Sequence, residues 1–294
     1  GVTTVRTAGT RAALDIELKR GIEQGFVSGP RLVCAGKVLC ITGGHGHFIG
    51  REYDGVDDAR RAAREQIKAG ADAIKMTVTG GIATPGTIYG GPQPFREEIQ
   101  AVVDAAHRAG KKVFVHAQGA EAIADSIAAG VDSVEHGFFR DSDDPNLAAM
   151  VAQGIFLVPT LVSYAMVLEM GVEGGVPQEA FDKTREAIEG HRRSFQLAVE
   201  AGVRIAMGTD AGTEGNDHGT NARELAFMVE NGLSEMEAIV ASTASGAELL
   251  DVADEVGTVQ VGRRADLLAV AGDPLEDITV LEEPAWVMKD GNVV

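Results

Sequence analysis

Basic residues, cysteines and long apolar runs are all scarce in this chain. Of 294 residues, 26 are Lys or Arg against 44 Asp or Glu, a formal net charge of −18. A surface of that sign repels phosphate backbones and argues against nucleic acid as a partner. It leaves substrate charge open, because the field inside one site can oppose that of the whole surface. The two cysteines, Cys34 and Cys40, form no Cys-x-x-Cys pair and are too few for a disulfide framework. Reduced, packed thiols suit a cytoplasmic enzyme. No apolar run is long enough to span a bilayer, so no membrane partner is expected. The opening GVTTVRTAGTRAALDIELKR lacks the charged-then-apolar order of a signal peptide. No Gly-x-Gly-x-x-Gly follows the first strand, which leaves a dinucleotide fold with little support.

What is present is a regular alternation. Short β-branched or apolar runs read as strands: GVTTVR, RLVCAG, ADAIKMTV, KKVFVHA, VDSVEHG, IFLVPTLV and VRIAMGTD. Helical patterns separate them, and a glycine-rich loop, ITGGHGHFIG, follows the second. Ala69-Gly70, Ala109-Gly110, Ala129-Gly130, Gln153-Gly154 and Ala201-Gly202 each close a helix just before a strand. Near-continuous apolar strands alternating with helices imply parallel βα units covered on both faces. Their number without a reversal point favours an α/β fold of the (β/α)8 barrel type over an open doubly wound sheet. The pattern divides the chain into a barrel over 1–250 and a small β appendage over 251–294.

Chemistry in such a barrel gathers at the C-terminal ends of the strands. Lys75 lies on the apolar strand ADAIKMTV, where a cation is costly to bury. An ion pair, a snorkelling side chain or a chemically altered amine would each account for it. His116 ends one strand, His136 the next, and Asp210 ends RIAMGTD. Two neutral imidazoles and a carboxylate make a divalent-metal set, most naturally for Zn²⁺. A neutral lysine amine can also take up CO₂, and the resulting carbamate can bridge two cations.

The motifs IKMTVTGG, VFVHA, SVEHG and MGTDAG, in this order, resemble the metal-dependent amidohydrolase superfamily. The chain is most similar to the binuclear, carboxylated-lysine branch and its prolidase-like dipeptidases, which cleave Xaa-Pro or Xaa-Arg/Lys dipeptides. The resemblance implies two Zn²⁺ ions, with carboxylated Lys75 as the bridge and His116 and His136 on the second metal. Asp210 would bind the first metal and shuttle the proton, with attack by a metal-bound hydroxide. ASTASGAELLDVADEVGTVQVGRRADLLAVAGDPLED is similar to the return from barrel to β-sandwich in that family. Ring-opening relatives acting on cyclic or aryl amides are the alternative, and they often use one metal and no bridging lysine.

The family's first strand ends in His-x-His, and no strand precedes GVTTVR, which resembles the second. The expectation is therefore a chain truncated at its N-terminus, with the barrel's first strand missing, a remnant β-sandwich and impaired activity. His45-Gly46-His47 lies in a glycine loop, where the paired geometry of strand residues is not guaranteed. His45 is expected to contact substrate or a developing oxyanion, and His47 to be solvated. Tyr164 and His218 are further candidates for substrate contact. Arg223, His107 and His191 are expected to be structural or exposed. Glu135 is excluded as a ligand because strict alternation turns it away from His136. A dipeptide or other small molecule is the expected partner. Oligomeric state is left open, a homo-oligomer included.

Overall fold

The computed structural model describes residues 1–213 and 215–294. Strands and helices run in the order β1 (Thr4–Arg6), α1 (Leu14–Glu23), β2 (Arg31–Val33), β3 (Leu39–Ile41), β4 (Arg51–Tyr53), α2 (Val56–Ala69) and β5 (Ala73–Thr77). Next come α3 (Arg96–His107), β6 (Lys112–Ala117), α4 (Ala120–Ala129), β7 (Ser133–His136), α5 (Pro145–Gln153) and β8 (Phe156–Val158). Then follow α6 (Leu161–Met170), α7 (Gln178–Ala201), β9 (Arg204–Ile205), α8 (Arg223–Glu230), α9 (Glu235–Ser242) and α10 (Ala244–Leu249). The chain finishes with β10 (Leu267–Ala269), β11 (Trp286–Lys289) and β12 (Asn292–Val293).

Local sequence explains most of these elements. In α2, Ala59, Ala62, Ala63 and Gln66 are buried at i, i+3, i+4 and i+7, which is one stripe of a helix. Asp57 and Asp58 sit in its first turn, favourable against the positive end of the helix dipole. Gly70 ends it at φ +110°, a conformation that would strain any residue with a Cβ.

The strands form a parallel barrel wall. β1 pairs with β2, and β5 through β9 pair in sequence order. The Cys34 carbonyl joins the two groups by accepting from Asp72 N at 2.7 Å and Ala73 N at 3.2 Å. The outward residues Ile74, Met76, Val113, Val115, Val134 and Leu157 meet the helices in the main apolar core. The other face looks inward. Ala73 and Phe114 pack there with Ala35, and Phe156 and Val158 pack with Ala206 and Leu249. Lys112 Nζ donates to the Glu248 and Leu249 carbonyls, so α10 covers the N-terminal end of the barrel. The opposite end, where the strands finish, is left for the site.

Beyond the barrel, β10, β11 and β12 form an antiparallel sheet. Arg31 of β2 ties it down by salt bridges to Asp266 at 3.0 Å and Asp290 at 2.8 Å.

Three expectations are corrected. The run IFLVPTLV is not one strand: β8 stops at Val158, and α6 begins at Leu161. Pro159 has no N–H to extend the ladder, and Thr160 turns left-handed at φ 55°. LVSYAMVLEM is apolar on most sides, so it shows no amphipathic period. The loop ITGGHGHFIG is bracketed by a strand pair, β3 on β4, with Leu39 of β3 opposite Met76 of β5. Finally, within GTVQVGRRADLLAVAGDPLED only Leu267–Ala269 is a strand.

Candidate active site

β5 and β6 are in register so that Lys75 faces Phe114 and Thr77 faces His116. Lys75, two positions before Thr77, shares its inward face and is 5 % exposed. Its Nζ stands 5.0 Å from the centroid of the Phe114 ring. Burial pushes the amine down to about 8, while Glu135 and Asp210 pull it up and Arg6 pushes it further down. The amine is thus much easier to deprotonate than a solvated lysine.

His116, at the end of β6, packs between two other imidazoles. Its ring centroid is 4.2 Å from His45 and 4.6 Å from His136. Burial drives His116 and His136 well below the ordinary histidine range, and nearby positive charge adds to this. His45 is pushed down to about 4 by burial and by Lys75 and Lys183. All three are therefore neutral near pH 7, the form in which a ring nitrogen can hold a cation. His116 Nε2 is buried without a hydrogen-bond partner among the described residues. Gly81 lies against this pair. A Cβ there would come within 2.6 Å of His45 and 2.9 Å of His116, so only glycine fits.

His45 is held through its loop. Its backbone N donates to Gln93 Oε1 at 3.0 Å, and Thr77 Oγ1 donates to its carbonyl at 2.9 Å. Its Nδ1 is 2.8 Å from Thr84 Oγ1. The strand pair β3–β4 and these bonds give the glycine loop a definite shape that its composition does not suggest. His47 is exposed, as expected.

Glu135 overturns its expected orientation. It is on the inward face of β7, where its carboxylate accepts from Arg6 Nη2 at 2.9 Å and Ser133 Oγ at 2.6 Å. The Arg6 guanidinium lies 3.8 Å over Phe114. Alternation breaks at His136, whose φ is +68°, and this swings its ring inward as well. Glu135 and His136 therefore both serve the interior. Asp210 also has a positive φ, +56°. Burial raises its carboxyl pKa, with Lys75 opposing and Glu135 assisting.

Tyr164 is a packed aromatic. It stacks on His191 at 4.1 Å, its hydroxyl is 3.3 Å from that of Tyr89, and Gln118 Nε2 donates to it. His218 is exposed on the loop after Asp210 and stands outside the imidazole stack. Arg223 grips Glu169 with its Nη1 and Nη2. His107 pairs with Asp132 at 2.9 Å.

Gln118, Thr160 and Glu224 are additions that the sequence did not single out, and His191, expected to be structural or exposed, is buried. Gln118 follows His116 by two positions, a parity that could have flagged it. His191 is buried in α7 and reaches the His136 carbonyl at 3.2 Å. Glu224 is fully buried and accepts from Leu161 N at 2.9 Å and Val162 N at 2.7 Å.

A parallel barrel with buried, chemistry-bearing side chains at its strand ends matches known proteins over the full chain. The family model described as the amidohydrolase family matches residues 1–294. The chain belongs to the amidohydrolase family. A solved Xaa-Pro dipeptidase with methionine in its active site is 40 % identical, with a TM-score of 0.92 over 99 % of this chain and 75 % of that one. A prolidase complexed with N-methylphosphonate-L-proline is 35 % identical, also with a TM-score of 0.92 and the same coverage. The ochratoxinase of Aspergillus niger is 32 % identical over 305 residues, 94 % of this chain. This amidohydrolase spans 62 % of the length of that ochratoxinase.

The family generally uses divalent metals. Among the described residues no three His, Cys, Asp or Glu side chains converge as a ligand cluster. The chemistry of the donors nonetheless suits such an ion: neutral imidazoles at His116 and His136, an unpartnered Nε2, a lysine amine with a lowered pKa, and the Asp210 carboxylate.

Proposed function

We propose that this amidohydrolase cleaves an amide bond in a dipeptide of the Xaa-Pro or Xaa-Arg/Lys kind. The observation that carries the reading is the packing of His116 against His136 beside buried Lys75, at the strand ends of a barrel whose relatives include a prolidase. His116, His136, Asp210 and Lys75, the last as a carbamate, are the residues that would hold Zn²⁺. Bound there, the ion supplies Lewis acidity, making water a better nucleophile and polarising the scissile carbonyl.

Asp210 moves the proton. Burial raises its carboxyl pKa, which makes it a better base toward the attacking water, and the proton it takes passes on to the leaving amine. His45, half-buried against His116, orients the carbonyl side of the substrate. His218, exposed on the loop after Asp210, would contact its remaining parts, and Tyr164, packed against His191, would act only from behind the site. Burial of Lys75 and the histidines keeps bulk water from competing for the same groups. Similarity to ochratoxinase supports a second reading, hydrolysis of another amide at the same centre.

The test is a panel of Xaa-Pro, Xaa-Arg and Xaa-Lys dipeptides with Zn²⁺-supplied protein. Asp210→Asn is expected to lower kcat by about 10²–10⁴-fold. Hydrolysis of ochratoxin-type amides with every dipeptide untouched would favour the second reading. Inertness toward both, with metal bound, would overturn the proposal.

A further inference from the structure

Among the described residues the His136 ring makes one hydrogen bond, from Nδ1 to Thr160 Oγ1 at 2.6 Å. Thr160 Oγ1 also lies 2.6 Å from the Pro159 carbonyl oxygen, which can only accept. A threonine hydroxyl has a single proton. If it goes to Pro159, the threonine oxygen is left as acceptor, and the imidazole must supply the proton of the other bond. His136 is then protonated at Nδ1, and Nε2 carries the free lone pair.

We propose that Thr160 is a positioning residue that selects the Nδ1–H tautomer of His136 and so presents Nε2 to a divalent cation. The proposal rests on the reading of His136 as a metal ligand. Thr160 is a β-branched residue in the left-handed region, at φ 55° and ψ 44°, a conformation that must be imposed from outside. Glu224 imposes it. Its two carboxyl oxygens accept from the N–H groups of Leu161 and Val162, the two residues that follow Thr160. From the other side, the His191 Nε2–H donates to the His136 carbonyl and holds the backbone that carries the ring. The ring is thus oriented through its backbone and its Nδ1, while Nε2 has no hydrogen-bond partner among the described residues. A ligating imidazole needs its second nitrogen committed in this way, and losing such a partner typically weakens metal binding about 10–100-fold.

The experiment needs no catalysis. The ¹⁵N shifts of the histidine rings are recorded on metal-free protein, with His136 assigned by its loss in His136→Asn. Wild type should show a pyrrole-like Nδ1 and a pyridine-like Nε2. Thr160→Val, close in shape but without the hydroxyl, should populate the Nε2–H tautomer and weaken Zn²⁺ binding, read by competition with a chromophoric chelator. Thr160→Ser should restore both readouts, and Glu224→Ala, which removes both acceptors, should shift both part-way. A wild-type ring protonated at Nε2 overturns the proposal, even if Thr160→Val does not fold. So does a folded Thr160→Val with an unchanged tautomer. Failure of wild type to bind Zn²⁺ would instead remove the metal reading, and the ring shifts would still decide the tautomer.

Discussion

Arg6 and Glu135 show how a single side chain can be expensive to lose. Their side chains are 10 % and 9 % exposed, and each neutralises the other inside the barrel. Glu135→Gln leaves the guanidinium uncompensated over Phe114. We expect urea unfolding to show a loss of about 3–5 kcal/mol, the usual result of breaking a buried pair from one side. The double change Arg6→Met with Glu135→Leu should recover most of it, since no unpaired charge remains.

Glu224 gives a pH prediction of definite sign. Burial raises its pKa to about 8 from an ordinary 4.5, with the Val162 and Leu161 N–H groups pulling the other way. The folded state therefore holds a proton that the unfolded state has already lost between pH 4.5 and 8. Its contribution to stability is fully present below 4.5 and is lost as pH rises through 8. Denaturant midpoints of wild type and Glu224→Gln, measured across this window, should diverge. The wild type alone should carry this downward slope.

Among the elements, one carboxylate starts two helices. Glu98 Oε1 accepts from Gly55 N at 2.6 Å, just before α2, and Oε2 accepts from Phe95 N at 2.7 Å, just before α3. Glu98→Ala should cost about 1–3 kcal/mol because both N–H groups lose a buried partner. Hydrogen exchange should rise at the first turns of both helices and little elsewhere. The helix ends themselves were legible in sequence. Gly70, Gly130, Gly154 and Gly202 are the left-handed closures expected of them. The helix α6 was not legible, because a helix that is apolar on most sides carries no period.

At the scale of the whole molecule, the C-terminal sheet depends on a few polar ties to the barrel. Arg31 bridges Asp266 and Asp290, and Asp290 N donates to Asp266 Oδ1 at 2.8 Å. Arg31→Ala should release this corner, so limited proteolysis should cut residues 262–294 before the barrel. Equal protection of that segment in variant and wild type would show that apolar contacts suffice. A second global measurement concerns the ion. If Zn²⁺ binds only the folded state, then at 100 times its Kd it should add about 2.7 kcal/mol of stability, and a chelator should remove it. No helix among the described residues is long and apolar enough to cross a membrane.

Sequence by itself determined the order of the barrel strands, most helix ends, and the placing of His116 and His136 toward strand ends. Those features are written in neighbouring residues: apolar periodicity, glycine after a helix, and the position of a side chain along a strand. Lys75 sits mid-strand in β5, and Asp210, expected to end a strand VRIAMGTD, lies five residues beyond β9, which stops at Ile205. Tertiary structure alone decided which way the decisive groups point. The inward swing of His136 needs a positive φ, and the Thr160 turn beside it is held by Glu224, 63 residues further along from Leu161. Glu135 faces Arg6 across 129 residues of sequence, and His45 meets His116 only because β3, β4 and Thr84 shape its loop. Strand parity is a local rule. It fails where distant hydrogen bonds outweigh the backbone's own preference, and in this chain that happens at the candidate site.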